Sequence, residues 1–217
     1  MNLKSWYPIM SEIIRSKSDF RLYEKLFLEI NGKINLVSKN EEQYLYEKHI
    51  CDSLSIKLFF EKYDFIPKTL LDIGTGGGFP AVPIAFSYPQ ISITALDSIR
   101  KKIDAISYIS KNLGLKNIRF VQARIENFSS DKFDVITSRA VGKLAKLVKY
   151  AYPHLNKDGY MVFYKSKSAS EELNEAAGVI KKMRLKILPL IRYNLPLEEN
   201  FERCLVILQK NNEIKVL

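Results

Sequence analysis

The residues of this chain best suited to chemistry form a glycine-rich stretch between Asp72 and Pro80. It reads Asp-Ile-Gly-Thr-Gly-Gly-Gly-Phe-Pro and follows an apolar run typical of a buried strand. Glycine adopts positive φ without a Cβ clash, and proline suits a first helical turn, where its missing N–H is not needed. The pattern therefore predicts a ligand cradle at the carboxyl end of a strand, where the chain turns into a helix.

Neighbouring residues narrow the class of nucleotide ligand. A phosphate-binding P-loop ends in Gly-Lys-Ser/Thr, whereas this loop ends in Phe79-Pro80. The dinucleotide pattern G-x-G-x-x-G is matched only in part, because Phe79 occupies the position of its last glycine. Asp97 closes the next apolar run and could accept both ribose hydroxyls, while Asp72 places a carboxylate where a pyrophosphate would be repelled. S-adenosylmethionine, which has a ribose and a cationic amino-acid tail, fits these residues best.

The elements that would position these residues alternate along most of the chain. Helical patterns cover about residues 3–15, 20–31 and 41–63, and strands are predicted near 68–73, 91–96, 118–122, 133–137, 160–164, 185–190 and 204–208. Alternating strands and helices predict an α/β fold with a mostly parallel, doubly wound sheet. The stretch 191–203 lacks a helical period, so we expect a hairpin-like connection that makes the seventh strand antiparallel. This arrangement is typical of Rossmann-like class I methyltransferases.

Local signals predict where several helices begin and end. Gly32 is placed to stop the second helix, and Gly114 to stop the helix that begins near Ile99. Ser168 and Glu171 have the spacing of a capping box at the start of the helix after the fifth strand. We expect an N-terminal helical extension over residues 1–66 and a cofactor-binding domain over residues 67–217.

The distribution of charge points to a polyanionic partner. The net charge is +10, and residues 1–66 hold ten basic and ten acidic side chains, so the whole excess lies in residues 67–217. Such asymmetry indicates a polyanion near the part that carries the loop, although a solvated lysine-rich surface is the alternative. The residues expected to contact the polyanion are Arg100, Lys101, Lys143, Lys146, Lys149, Lys165 and Lys167.

Cysteine use and hydropathy predict the cellular compartment. Cys51 and Cys204 are far apart and form no C-x-x-C pair, so neither a disulfide framework nor a metal site is expected. The N-terminal residues lack the pattern of a signal peptide, and no apolar run approaches the ~18 residues of a membrane span. We expect a soluble, cytoplasmic, monomeric protein without membrane association.

Four motifs in this chain occur together in one known family. They are the stretch from Asp72 to Pro80, Asp97-Ser98 followed by Arg100-Lys101-Lys102, Ser138-Arg139-Ala140, and His49-Ile50-Cys51-Asp52-Ser53-Leu54. The combination resembles the bacterial 16S rRNA guanine-N7 methyltransferase G family, once called glucose-inhibited division protein B, over about residues 32–167. The resemblance implies S-adenosylmethionine as cofactor, S-adenosylhomocysteine as product, and a guanine in the decoding-region loop of 16S rRNA or the small ribosomal subunit as substrate.

The resemblance also implies roles for individual residues. Gly74, Phe79, Ile125, Glu126 and Arg139 fall at the family's cofactor-binding positions, where Ile125 and Phe79 would border the adenine and Glu126 its exocyclic amine. Arg139 could hold the cofactor carboxylate or an RNA phosphate through two parallel hydrogen bonds. Together with the loop and its acids, the expected cofactor site comprises Asp72, Gly74, Gly76, Gly78, Phe79, Asp97, Ile125, Glu126 and Arg139.

The residues after the fourth strand limit the type of reaction. Methylation of an exocyclic amine favours an Asn/Asp-Pro-Pro-Tyr/Phe tetrad and attack at pyrimidine C5 requires a cysteine, whereas this chain reads Thr137-Ser138-Arg139-Ala140. Guanine N7 has an in-plane lone pair and no proton, so its methylation needs alignment rather than a general base. Arg139 and Lys165 are the candidates for positioning the substrate.

Several alternatives stay open from the sequence. A ribose 2′-O-methyltransferase, a NAD-dependent oxidoreductase and a non-catalytic RNA-binding module all share some of these features. His49 has Asp52 one helical turn away, so a structural hydrogen bond is expected there rather than a catalytic role. Asn35-Leu36 either faces the substrate or forms a plain turn.

Overall fold

The computed structural model describes residues 7–129, 132–197 and 201–210, and its centre is a mixed sheet of eight strands. The strands are β1 (Thr69–Ile73), β2 (Ser92–Asp97), β3 (Ile118–Gln122), β4 (Phe133–Arg139), β5 (Leu155–Lys165), β6 (Leu185–Ile187), β7 (Ile191–Asn194) and β8 (Glu202–Lys210). Their order is β3-β2-β1-β4-β5-β8-β6, and β7 also pairs with β8. Strands β1 to β5 are parallel, whereas β8 is antiparallel to β5, β6 and β7. The predicted Rossmann-like fold with an antiparallel last strand is confirmed.

Helices cover both faces of this sheet. They are α1 (Tyr7–Arg15), α2 (Arg21–Ile34), α3 (Lys39–Glu42), α4 (Cys51–Leu54), α5 (Ile56–Tyr63), α6 (Ala81–Ser87), α7 (Arg100–Asn112), α8 (Leu144–Ala151) and α9 (Ala169–Lys182). A π-helical turn spans Leu45–Ile50, and 3₁₀ turns span Ser16–Phe20, Ile125–Asn127 and Tyr152–His154. Within the described part of the chain, no helix is both long enough and apolar enough to cross a membrane.

Two apolar clusters lie on opposite faces of the sheet. Successive residues of a strand point to opposite faces, so Leu70 of β1 joins one cluster and Leu71 the other. The first cluster packs α1, α2 and α4–α7 against the sheet, and the second packs α8 and α9. Because the first cluster runs from Met10 to Ile207, the N-terminal helices and the sheet share one core across the boundary expected near residue 67.

Some of the predicted helix ends are wrong in detail. The helix α2 continues past Gly32 and ends at Asn35, which adopts a left-handed conformation with φ 56°. Asn31 fixes that end, because its side chain bonds both the N–H and the carbonyl of Val37. The predicted stop at Gly114, which has φ 71°, is confirmed.

Two further helix predictions are corrected by local hydrogen bonds. The helix α9 begins after Ser168 as expected. The Ser168 hydroxyl bonds the Ser166 hydroxyl and does not cap the helix, so the predicted capping box is wrong. The helix predicted over 41–63 is divided, and the hydroxyls of Ser53 and Ser55 bond the carbonyls of His49 and Asp52, a pattern that bends helices. The start predicted near residue 3 lies outside the described residues.

The strand predicted over 185–190 ends early, because β6 covers only Leu185–Ile187. Pro189 stands between β6 and β7 and has no N–H to donate to the ladder with β8. The chain resumes pairing with β8 at Ile191, so β7 occupies part of the stretch that we expected to be a connection. The hairpin-like return to β8 is therefore shorter than predicted, and the sheet gains an eighth strand.

Gly78, the last residue of the glycine loop (residues 74–78), packs against helices α6 and α7. Its φ is 88°, and an added Cβ would lie 2.8 Å from Val82 and 3.4 Å from Ile106. The expectation that Gly78 forms part of the cofactor site is therefore corrected, because its close neighbours belong to the core. Gly76, with φ 55°, has only one atom within 4 Å of an added Cβ, at 3.8 Å.

The buried carboxylate of Asp52 docks the N-terminal helices onto the antiparallel end of the sheet. Its Oδ1 accepts from Tyr193 Oη at 2.7 Å and from Arg203 Nε at 3.0 Å, and its Oδ2 accepts from Arg203 Nη2 at 3.0 Å. Burial alone would raise the pKa of Asp52, but Arg203, Arg139 and Tyr193 hold it below its usual range. One carboxylate in α4 thus fixes β7 and β8 relative to the N-terminal segment.

We predict that Asp52→Asn destabilises the fold strongly. It leaves two partly buried arginines, Arg203 and Arg139, without their buried counter-charge, and breaking a buried pair typically costs about 3–5 kcal/mol. Asp104→Asn is the matched control, because Asp104 pairs with Arg100 on the exposed surface, where the loss should stay under about 1 kcal/mol. Urea unfolding gives both free energies, and equal losses would show that the Asp52 pairs do not hold the fold together.

We also predict that Gly78→Ala destabilises the protein more than Gly76→Ala when no ligand is present. Both substitutions place an alanine at positive φ, at a cost of about 1–2 kcal/mol. Only the methyl group at position 78 meets core side chains, which adds about 1–3 kcal/mol for overpacking. Thermal unfolding of both variants without ligand measures the difference, and a larger loss for Gly76→Ala would contradict this packing.

Candidate functional site

A cavity of about 870 Å³ opens at the carboxyl ends of β1, β2 and β4. Its floor is the glycine loop, and one wall is the segment that links α2 to α3, residues 35–38. The opposite wall comes from residues 123–126 after β3 and residues 139–143 after β4. This volume lies within the range of small-molecule sites, and the carboxyl edge is where open α/β sheets bind their ligands.

The glycine loop presents its backbone to this cavity. Gly74 and Gly76 have φ values of 72° and 55°, which residues other than glycine rarely adopt. The N–H groups of Gly74 and Thr75 both donate to the Leu96 carbonyl, at 2.8 and 2.9 Å. An added Cβ at Gly74 would collide with Val141, so the loop after β4 approaches the glycine loop as closely as a glycine permits.

Asp97 fixes the loop from the end of β2. Its Oδ2 accepts from the Gly76 N–H at 2.8 Å, and its Oδ1 accepts from the Ile99 N–H at 2.9 Å. The residue is 9% exposed and lines the cavity. Because each carboxylate oxygen can accept two hydrogen bonds, Asp97 retains acceptor capacity on both oxygens for hydroxyl groups of a ligand.

Ile125 and Glu126 lie on the short 3₁₀ turn after β3, and both line the cavity. Ile125 is partly buried against the second apolar cluster, so it presents an apolar surface. Glu126 is exposed, and its own backbone N–H, followed by the Tyr150 hydroxyl, holds its carboxyl pKa below the usual range. The predicted pair is therefore placed together at the cavity, one apolar and one anionic.

Arg139, at the end of β4, ties the N-terminal segment to the cavity. Its Nη1 donates to Asp52 Oδ2 and to the Lys48 carbonyl, both at 3.2 Å, and its Nη2 bonds His49 Nδ1 at 2.8 Å. The guanidinium also lies 5.0 Å from the ring centroid of Phe79. Both terminal nitrogens thus have protein partners, and a direct contact of Arg139 with cofactor or RNA stays a prediction.

His49 is buried and neutral in this arrangement. A guanidinium can only donate, so Nδ1 accepts from Arg139 and the ring proton is assigned to Nε2. Burial, and then the positive charge of Arg139, lowers the pKa of His49 to about 4. The expected structural hydrogen bond exists, but its partner is Arg139; Asp52 bonds the same guanidinium rather than the imidazole.

Phe79 and Gly78 lie at the inner end of the glycine loop with different surroundings. Phe79 borders the cavity, and its ring packs against Phe27 and His49 at centroid distances of 5.3 and 5.1 Å. It is therefore held between the loop and the N-terminal helices. Gly78 does not line the cavity, since α6 and α7 cover it.

Asp72 and Lys165 are the two predicted side chains that the structure buries away from the cavity. Asp72 lies beneath the loop, and its Oδ1 accepts from Thr137 Oγ1 at 2.9 Å. Burial raises its pKa to about 6, against the opposing effect of nearby hydroxyls. Lys165 ends β5 as predicted but donates to Glu172 Oε2 at 2.7 Å, so the expected contact with RNA or substrate is corrected.

Besides Arg139, four cationic side chains line the cavity. They are Lys102, Arg124, Lys143 and Lys146. Of the predicted polyanion contacts, Lys143 and Lys146 are thus brought to the site. Lys101, Lys149 and Lys167 are exposed but line no part of the cavity, and Arg100 is paired with Asp104 at 2.9 Å.

Some cavity residues escaped the sequence analysis. Arg124 lies two residues after the end of β3, so its place at the carboxyl end of a parallel strand was the available signal. Glu41 and Tyr150 gave no such signal, since each reaches the cavity from a helix. Asn35-Leu36 lines the cavity, and its contact with the substrate stays a prediction. The described residues contain no cluster of three or more His, Cys, Asp or Glu side chains that could hold a metal ion.

Comparison with known proteins places this arrangement in a family. The profile of the family described as rRNA small subunit methyltransferase G matches residues 16–192. A protein of Lactococcus lactis subsp. lactis (strain IL1403) named Ribosomal RNA small subunit methyltransferase G is 35% identical over 199 residues, which cover 89% of this chain and 82% of that protein.

Solved structures agree with this fold. A methyltransferase from Pyrococcus furiosus superposes with a TM-score of 0.60 at 20% identity, over 74% of this chain and 83% of its own. An S-adenosylmethionine-dependent methyltransferase from Clostridium acetobutylicum ATCC 824 also gives 0.60, at 16% identity, over 80% of this chain and 99% of its own. These solved structures share the fold of this chain. The profile match over residues 16–192 and the 35% identity to the Lactococcus protein show that the chain belongs to the rRNA small subunit methyltransferase G family.

Proposed function

We propose that this chain transfers a methyl group from S-adenosylmethionine to N7 of a guanine in 16S rRNA. The observation that carries the proposal is a single cavity that combines the glycine loop and Asp97 with a rim of cationic side chains. The first features suit a nucleoside with an amino-acid tail, and the rim suits a polyanion. The chain's family is named for methylation of small-subunit rRNA, which supports the same two ligands: a methyl donor and an RNA.

The residues of the cavity fit S-adenosylmethionine. Positive φ at Gly76 leaves open space where a Cβ would stand, and Asp97 keeps free acceptor sites for ribose hydroxyls. Ile125 and Glu126 offer an apolar surface and an acceptor for an adenine with its amino group. When bound, S-adenosylmethionine would supply a methyl group on a positively charged sulfur, so that a lone pair attacking the methyl carbon in line would release the neutral thioether of S-adenosylhomocysteine.

The chain's part in such a reaction is alignment and exclusion of water. Guanine N7 carries no proton, so no side chain has to remove one. The residues after β4 and the 35–38 segment wall the cavity from two sides, and holding reactants in line can supply about 7 kcal/mol or more of the acceleration. We assign Arg139 to positioning, because it holds His49 and the Lys48 backbone at the cavity wall.

The alternative reactions receive no support from the site. A ribose 2′-O-methyltransferase needs a lysine and an aspartate placed to deprotonate a hydroxyl, whereas Lys165 is paired with Glu172 and Asp72 lies beneath the loop. A NAD-dependent oxidoreductase would favour the glycine that Phe79 replaces, and Phe79 here packs against the N-terminal helices.

We further propose that Lys102, Arg124, Lys143 and Lys146 contact the RNA backbone near the target guanine. All four line the cavity that would receive the base, so their charges act where the RNA strand must enter. A ribosomal RNA substrate in turn implies the cytoplasm as the compartment.

Methyl transfer by the purified chain tests this function. With isotope-labelled S-adenosylmethionine and 16S rRNA or small subunits, we expect one N7-methylguanosine, located by mass spectrometry of nuclease fragments. Calorimetry should detect S-adenosylhomocysteine binding and no NAD binding. Label on a ribose oxygen would favour the 2′-O reaction, NAD binding would favour the oxidoreductase, and RNA binding without methyl transfer would leave only a binding module.

The salt dependence of RNA binding tests the cationic rim. Replacing Lys143 and Lys146 by glutamine should flatten the slope of log affinity against log salt by about 0.7 for each phosphate that is no longer neutralised. Lys181 and Lys182 are the matched control, since they are exposed at the end of α9 away from the cavity and carry the same charge. Equal slopes for the two double variants would remove the rim from the RNA interface.

A further inference from the structure

Two buried polar side-chain atoms of cavity-lining residues have no hydrogen-bond partner within the part of the chain that the structure describes: Thr75 Oγ1, which lies in the glycine loop, and a nitrogen on the facing wall. The nitrogen is Nε2 of His49, a residue that is 8% exposed and lines the cavity. Because Nδ1 accepts from Arg139, Nε2 carries the ring proton and is a donor. Buried donors without an acceptor are costly and rare, so this N–H calls for an acceptor that a ligand brings.

An acceptor of the protein stands beside this donor but does not satisfy it. Glu41 Oε2 lies 3.9 Å from His49 Nε2, which is beyond hydrogen-bonding distance. The same oxygen accepts from Ser38 Oγ at 3.2 Å, and the Glu41 side chain is 40% exposed on the cavity wall. The cavity therefore presents a fixed N–H donor and, next to it, a carboxylate acceptor.

This order of donor and acceptor matches guanine and mismatches adenine. Along its edge guanine presents the acceptors N7 and O6 and then the donor N1–H, whereas adenine presents the N6 amino donor followed by the acceptor N1. Proteins that act on an extruded base commonly read its Watson–Crick edge by hydrogen bonds. A neutral imidazole N–H beside a carboxylate pairs with O6 and N1–H of guanine. With adenine, the imidazole donor would face the N6 amino donor, and the carboxylate acceptor would face the N1 acceptor.

We propose that His49 and Glu41 select the target base as guanine, with His49 Nε2–H donating to O6 and the Glu41 carboxylate accepting from N1–H. This inference rests on the proposed function. O6 lies between N7 and N1 on the purine, so a base held in this way turns N7 away from Glu41. Methyl transfer in this pose requires N7 to face the glycine loop, whose neighbour Phe79 packs against His49 with a ring-centroid distance of 5.1 Å.

Two roles are separated by this assignment. Arg139 and Asp52 are positioning residues, since they fix the imidazole through Nδ1 and leave Nε2 for the base. His49 and Glu41 are specificity residues that touch the substrate. The low pKa of His49, about 4, supports the assignment, because a neutral ring keeps Nδ1 as an acceptor for Arg139 at physiological pH.

Base analogues in the RNA test the proposal without altering the protein. Once the target guanine is mapped, it is replaced by inosine, which keeps O6 and N1–H, or by 2-aminopurine, which keeps N7 but lacks both. We expect kcat/KM on inosine RNA to stay within about threefold of guanine RNA, and on 2-aminopurine RNA to fall by about 100-fold or more.

Variants then connect the discrimination to Glu41. Compared with the wild type, Glu41→Gln should lower kcat/KM on guanine RNA by about tenfold. On 2-aminopurine RNA the variant and the wild type should have nearly equal kcat/KM, since that base offers no N1–H to the carboxylate. Glu42→Gln is the matched control: Glu42 bonds Asn31 at 2.7 Å, does not line the cavity, and should keep wild-type discrimination. Unchanged S-adenosylhomocysteine affinity shows that each variant is folded.

The outcomes separate this proposal from the proposed function. Equal rates of the wild type on guanine and 2-aminopurine RNA, or full discrimination retained by Glu41→Gln, would overturn the assignment of His49 and Glu41 while leaving guanine methylation intact. Failure of the wild type to methylate guanine RNA at all would overturn the proposed function, and this inference with it.

Discussion

The carboxylate of Asp52 is the point on which the functional geometry depends. A buried charge is expensive to remove from water, and here two arginines and a tyrosine surround it, so α4, β4, β7 and β8 are fixed at one place. Arg139 is oriented by this carboxylate and in turn fixes the tautomer of His49. A chain of hydrogen bonds therefore runs from the core to the cavity wall.

This chain of bonds explains why the N-terminal helices belong to the site. The glycine loop and Asp97 alone would form a shallow cradle at the sheet edge, and the segment 35–38 with Glu41 and His49 adds the facing wall. A reaction at a lone pair that carries no proton needs little besides alignment, desolvation and the correct base. The site accordingly uses its buried polar groups to fix walls and present hydrogen bonds, while its free cations stay around the opening.

The sequence was sufficient where local pattern decides structure. The glycines at 74 and 76, the acid at 97 and the mostly parallel sheet all follow from short segments with characteristic residues. It failed where a distant partner decides: Lys165 reads as a free cation until Glu172 of α9 is seen beside it. Gly78 likewise reads as part of the cradle until α7 is packed on it. The bond between His49 and Arg139 joins residues ninety positions apart, and no local period reports it.

Mass spectrometry of 16S rRNA from cells that lack this protein tests the central claim most directly. One measurement reports whether a methyl group is missing, on which base and atom, and at which position. We predict that a single N7-methylguanosine disappears in the deletion strain and returns when the chain is expressed again. An unchanged methylation pattern in the deletion strain, or loss of a methyl group from a ribose or a different base, would contradict the account.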